Sequence, residues 1–246
     1  MAEAVQNMRE VRARFAEVRD RVRACAERSG RAPDAVTLIA VSKTHPAELL
    51  REAVAAGARD FGENRVQEAE GKIEGLRGEA AGVRWHLIGH LQSNKARRAV
   101  RLFDLVHTVD SAALAVRLER LCAEEGRARL DVLVQVDLAG EATKEGAGEE
   151  ELPAVVQALG ECERLRLRGL MTLPPFFEES ERARPFFRRL RELRDELRAR
   201  AAFGGEAGEL SMGMSHDFEL AVEEGATMVR VGTAIFGARA PRPASG

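Results

Sequence analysis

Tyrosine is absent from this 246-residue chain, and with a single tryptophan the aromatics reach only 4%. So sparse a set leaves no platform for stacking nucleic-acid bases. A formal net charge of −2 offers no basic surplus for nucleic acid or an anionic membrane surface. The three cysteines, Cys25, Cys122 and Cys162, are far apart and form no CxxC pair, which predicts reduced thiols rather than a disulfide framework. No apolar run reaches the roughly 18 residues of a membrane helix. The arginine-rich N-terminus carries Glu10, Glu17, Asp20 and Glu27, acids that a transit peptide lacks, so the chain is expected in the cytoplasm. No Pro/Gly/Ser-rich linker divides it, and one domain over residues 1–246 is expected.

What is present is a rhythm. Met8, Val11, Phe15, Val18, Val22 and Cys25 alternate at spacings of three and four, which predicts an amphipathic helix over about 7–29, closed by Gly30. Eight strand-like runs follow: Val36 to Val41, Arg59 to Gly62, Val83 to Ile88, Leu105 to Val109, Asp131 to Val136, Leu165 to Met171, Glu209 to Met212 and Thr227 to Val231. Between them lie helical patterns, among them Pro46 to Ala56, Ser93 to Val100, Asp110-Ser111 capping a helix to Glu125, Glu149 to Arg164, an arginine-rich stripe of Phe186, Leu190, Leu193 and Leu197, and Ser215 to Glu224. Strict βα alternation calls for a parallel sheet with helices outside, and eight units in this length favour a closed (β/α)8 TIM barrel with an extra N-terminal helix. An open doubly wound sheet is the alternative.

In such a barrel, chemistry gathers in the loops beyond the carboxyl ends of the strands. Ser42-Lys43-Thr44-His45 follows the first strand; a lysine leaving a buried strand is pushed toward the neutral amine, which can attack an aldehyde. A lysine merely reaching from the rim to water is the plain alternative. Glu63 and Asn64 follow the second strand and could face the barrel mouth. His86 and His90 make a poor zinc pair, one within a strand and one beyond it, with no carboxylate or thiol expected nearby. Asp137, Lys144 and Gly146 follow the fifth strand, and Met171-Thr172 end the sixth. Ser211-Met-Gly-Met-Ser215 leads to a helix expected to begin near Ser215, and Gly232-Thr233 opens a further helical turn. Two such helix starts side by side make an anion pocket. Arg230 lies inside the final strand, where a guanidinium needs a partner. An amine, a phosphate cradle and an arginine together fit an aldehyde that carries a phosphate, and pyridoxal 5′-phosphate (PLP) is the common cofactor of that description.

Several segments carry a resemblance: Ala40-Val-Ser-Lys-Thr44, Phe61-Gly-Glu-Asn64, Trp85-His-Leu-Ile-Gly89 with Gln92 and Lys95, Leu210-Ser-Met-Gly-Met214 with Asp217, and Val229-Arg-Val-Gly-Thr-Ala-Ile-Phe-Gly237. From about residue 7 to 239 the chain resembles the PLP homeostasis protein family, which is related to the barrel domain of alanine racemase. The resemblance implies that Lys43 is the Schiff-base lysine, that Ser211, Gly232 and Thr233 hold the phosphate, and that Arg230 faces the pyridine nitrogen and keeps it unprotonated. Met212 and Asn64 join the implied cofactor-binding positions. The implied role is a monomeric, non-enzymatic PLP carrier or buffer, with PLP as ligand and PLP-dependent apoenzymes as acceptors, and with no metal, nucleic acid or membrane partner. His45 stands where many relatives have lysine, and Asp137 where asparagine is common.

Two enzymatic alternatives use the same residues. An amino-acid racemase of this barrel type pairs its lysine with a tyrosine across a dimer that includes a second β-domain; this chain has no tyrosine, although a histidine or cysteine could act as the base. A Schiff-base aldolase acting on a sugar phosphate usually carries its lysine late in the barrel.

Overall fold

Strands buried on both faces leave unpaired backbone wherever a sheet has an edge, and among the described residues the sheet closes on itself and leaves none. In the computed structural model, which describes residues 2–79, 81–140 and 145–237, eight parallel strands close into a barrel in chain order. They are β1 (Thr37–Val41), β2 (Asp60–Glu63), β3 (Arg84–Leu87), β4 (Leu105–Val109), β5 (Leu130–Gln135), β6 (Leu165–Met171), β7 (Glu209–Ser211) and β8 (Met228–Val231). The helices are α1 (Ala2–Arg28), α2 (Ala47–Ala55), α3 (Val66–Gly75), α4 (Ala96–Leu102), α5 (Ala112–Glu124), α6 (Leu152–Gly160), α7 (Arg184–Ala199), α8 (Phe218–Glu223) and α9 (Thr233–Phe236). The expected barrel is therefore the observed one.

Period-two alternation sorts the strand residues into two cores. Phe61, Leu87, Val106 and Leu170 face outward and are covered by apolar residues of the helices, such as Phe187 and Phe218. Each such burial contributes about 1.5–3 kcal/mol. The barrel interior is smaller; Leu105, Leu133 and Met171 form one apolar cluster in it, and Ile39, Val41 and Ile88 add to it beside buried polar side chains. Helix α1 buries the predicted stripe of Val11, Phe15, Val18, Val22 and Cys25 against α2, α8 and α9, over the seam where β8 meets β1. Just beyond α1, Arg31 donates to the carbonyls of Val222 and Ala226 at 2.5 and 2.7 Å. At Gly169 the register between β5 and β6 shifts, and a Cβ there would stand 2.0 Å from the Glu209 carbonyl oxygen, so only glycine lets β7 approach.

Four local expectations change. The helix after β5 is shorter than Glu149 to Arg164, and residues 93–95 form a 3-10 turn before α4. On α7 the fully buried aromatic is Phe187; Phe186 lies one position round the helix and stacks on Phe177. Helix α8 begins at Phe218, not near Ser215, because the Asp217 carboxylate accepts from the Met214 N–H at 2.6 Å and holds 214–217 as a turn.

Candidate functional site

The loop that carries the candidate amine is held from outside the barrel. Ile39 and Val41 share the inward phase of β1, and Lys43 is the next position in that phase. The next residue, Thr44, has φ +68°, a left-handed conformation that a β-branched residue adopts only when its surroundings impose it. Here the Glu68 carboxylate accepts from the Thr44 N–H, and the His45 N–H donates to the Ser42 carbonyl at 3.0 Å. Lys72 of α3, buried, donates to the Ser42 carbonyl (2.6 Å), Glu63 (2.6 Å) and Glu68 (2.7 Å), while the Ser42 hydroxyl donates to Glu63 at 2.6 Å. Both residues that flank Lys43 are thus tied to one buried network.

Glu63, expected at the mouth, is instead the last residue of β2, fully buried, and faces the α3 side. Burial pushes its carboxyl above the usual range against the opposing pull of Lys72. For Glu68, burial would raise the carboxyl, but hydrogen bonds from Lys72 and Thr44 outweigh it and hold it low. Asn64 lies half-buried at the rim, and its backbone is so close to Gly89 that a Cβ on residue 89 would stand 2.5 Å from the Asn64 carbonyl oxygen. Asn64, Glu68, His90, Gln92 and Lys95 line a cleft of about 780 Å³ there. Lys144 lies outside the described residues.

Across the β8–β1 seam, the two loops expected to form an anion pocket are joined by one side chain. Ser215 Oγ accepts from both the Gly232 N–H (3.2 Å) and the Ala234 N–H (3.3 Å), so one hydroxyl bridges the loop after β7 and the start of α9. Thr233 between them is exposed. A Cβ on Gly232 would meet the Val41 carbonyl oxygen at 3.3 Å, which places this loop directly beside the end of β1. Ser215 is a residue that the sequence alone does not single out as a ligand.

Ser211 and Met212 are placed differently from the resemblance-based expectation. Ser211 is fully buried on the inward phase of β7, and its oxygen accepts from Arg230 Nη1 at 2.5 Å. Met212 belongs to the outer core beneath the helices. Arg230 itself is buried inside the barrel, with Nη2 donating to the Thr172 carbonyl at 2.8 Å. Burial lowers its pKa to about 10, opposed by the Asp217 carboxylate, so it remains cationic near neutrality. His86, expected to lack a carboxylate neighbour, stands 2.9 Å from Asp60. Even so, no group of three metal-ligating side chains occurs among the described residues, nor is any helix there long and apolar enough to cross a membrane.

Residues 13–240 match the family described as alanine racemase, N-terminal domain. The pyridoxal phosphate homeostasis protein of Pseudomonas aeruginosa is 47% identical over 92% of this chain and 94% of that protein, and the one from Aquifex aeolicus is 42% identical over 92% and 97%. The structure of PipY from Synechococcus elongatus with PLP bound is 44% identical, with a TM-score of 0.77 over 91% of this chain and all of that one.

Proposed function

The chain belongs to the pyridoxal phosphate homeostasis protein family, and from that premise we propose that it holds PLP covalently on Lys43 at the barrel mouth, buffering or delivering it rather than turning over a substrate. The observation that carries the reading is the barrel's closure. β1 and β8 are neighbours, with Ile39 opposite Arg230 and Ala40 opposite Val231. Residues 43 and 232, almost two hundred positions apart in the chain, therefore leave the barrel side by side. Bound PLP supplies an aldehyde for an amine, a phosphate for N–H and hydroxyl donors, and a ring nitrogen. The residues fit these demands: Lys43 offers the amine, Gly232, Thr233 and Ser215 the phosphate cradle, and Arg230 a buried cation for the ring.

Ser211 supports Arg230 from behind, Met212 shapes the wall through its backbone alone, and Asn64 lines the entrance. A guanidinium donates and does not give up its proton near neutrality, so it keeps the ring nitrogen unprotonated and weakens the ring as an electron sink. The chain also has no tyrosine to act as a base on the opposite face. Both features favour a carrier that passes PLP to apoenzymes in the cytoplasm over a racemase.

The test uses the scarcity of lysine: Lys43, Lys72, Lys95 and Lys144 are the only four. Borohydride reduction of the PLP-loaded protein should place a pyridoxyl group on Lys43, and Lys43→Ala should abolish it while leaving the fold intact; an adduct on Lys95 or Lys144 instead would overturn the assignment. Gly232→Asp should weaken PLP retention about ten- to hundredfold by repelling the phosphate and obstructing Val41. Deuterium incorporation at the α-carbon of alanine, serine and glutamate should stay negligible, whereas rates of order 1 s⁻¹ would establish the racemase.

A further inference from the structure

Five polar side chains inside the barrel stand in single file. Arg230 Nη1 is 2.5 Å from Ser211 Oγ, Ser211 Oγ is 2.9 Å from His107 Nδ1, His107 Nε2 is 3.0 Å from His86 Nδ1, and His86 Nε2 is 2.9 Å from Asp60 Oδ1. They come from β8, β7, β4, β3 and β2, so the file crosses the interior between β7 and β4 and then runs along the wall to β2, the neighbour of β1. All five are buried, and none of these atoms lacks a partner.

The two ends fix the direction of every hydrogen bond. Arg230 can only donate, so the Ser211 oxygen accepts from it, and Asp60 can only accept, so a neutral His86 donates to it from Nε2. His86 Nδ1 is then bare and accepts from His107 Nε2–H. A neutral His107 is left with a bare Nδ1, which accepts the hydrogen of Ser211. Arg84 also donates to Asp60 from Nη2 at 3.0 Å, and its Nε lies 2.8 Å from Asp60 Oδ1 in an ion pair. At the other end, the Asp217 carboxylate favours the charge on Arg230. His107 being wholly buried, and next to His86 and Arg230, is pushed well below the ordinary imidazole range, in keeping with a neutral ring.

We propose that Ser211, His107, His86 and Asp60 form one polarised hydrogen-bond chain that positions Arg230, with both histidines held as Nε2–H tautomers, and that it thereby sets the environment of the cofactor ring. These are positioning residues, since they act through Arg230. The link to the ring rests on the PLP reading above; the tautomers do not. Because neither end can reverse its role near neutrality, the chain is a fixed strut and not a proton conduit. It also explains why a serine in the expected phosphate motif faces inward: its hydroxyl is the joint between arginine and histidine.

The experiment has two arms, both on the full chain. Nitrogen-15 NMR of histidine-labelled protein without PLP should show His107 neutral and protonated on Nε2 from pH 8 to pH 5, with His86 protonated on Nε2. Assignment of the His107 proton to Nδ1, or titration of His107 within that window, overturns the chain. The second arm follows the visible band of lysine-linked PLP. His107→Phe, which loses both links, should move the pH dependence of that band and speed PLP loss about tenfold. His107→Gln keeps an acceptor and a donor and should lie closer to wild type. Identical bands in all three proteins would remove the positioning role. If the wild-type protein forms no borohydride-stable adduct at all, the PLP reading and the link to the ring fail together, while the tautomers assigned by NMR stand.

Discussion

Strand β2 contributes two buried carboxylates, three residues apart, that face opposite ways. Asp60 points into the barrel, where His86 and Arg84 donate to it; burial alone would raise its carboxyl, but those donors hold it below its usual range. Glu63 points outward, and burial holds it above its usual range despite Lys72. The difference lies in how the donors are spread. Asp60 has partners on both oxygens, whereas Lys72 and Ser42 both donate to Oε1 of Glu63, and Oε2 has no partner among the described residues. A buried acceptor left bare costs about 1–3 kcal/mol. The inner network is therefore a satisfied strut behind Arg230, and the outer one retains slack next to the loop that carries Lys43.

Breaking the outer network should have the largest effect. Lys72→Met leaves Glu63 buried without its counter-charge and should destabilise the protein by about 3–5 kcal/mol in denaturant titrations near neutral pH. A carboxyl whose folded pKa is already raised can escape by taking a proton, so the loss should shrink as pH falls. Glu63→Gln in the same background should restore much of the stability; no restoration would show that Lys72 acts mainly through Ser42 and Glu68. Next comes Glu68→Gln, which keeps an acceptor for the Thr44 N–H but removes its charge. About 1.5 kcal/mol of stability should be lost, and PLP attachment to Lys43 should slow, because the left-handed turn at Thr44 loses part of what imposes it. Attachment at the wild-type rate would separate the outer network from the lysine.

The barrel is legible in the sequence because alternation of apolar runs with helical stripes is a long-period signal, repeated eight times. Lys43, Gly232 and Arg230 are legible because each sits at a strand end or inside a strand whose bounds can be read within a residue or two. What is not legible depends on phase. Placing Glu63 at the mouth requires the strand to stop at Gly62; one more residue of β2 turns it to the outer wall. A shared motif marks both Ser211 and Met212, but alternation along β7 puts Ser211 inside and Met212 under the helices. The first hydroxyl free of the strand is Ser215, and the Asp217 turn that presents it is the local signal for it. No pattern in the sequence announces that His86 and His107, 21 residues apart on adjacent strands, meet within hydrogen-bond distance, because that depends on the shear of a closed barrel.

The smallest expected effect sharpens the inner half of the comparison. His107 has an ordinary pKa of 6.5 when unfolded and a much lower one when buried. Above pH 7 both states leave it neutral, and it contributes nothing to the pH dependence of stability. Below 6.5 the unfolded chain takes up a proton that the folded one refuses, so stability must fall as pH falls, by at most about 1.4 kcal/mol per pH unit. Asp60 and Glu68, whose folded carboxyls are held low, act with the same sign, but only near pH 4, where their unfolded counterparts titrate. From pH 6.5 to 5 the imidazoles are therefore accompanied only by carboxyls that burial raises, such as Glu63 and Asp217. Subtracting the slope of His107→Gln removes the other four histidines and Glu63 as well, and the remainder belongs to His107. A remainder near zero would mean that His107 protonates as readily folded as unfolded, which a ring that must accept from Ser211 cannot do.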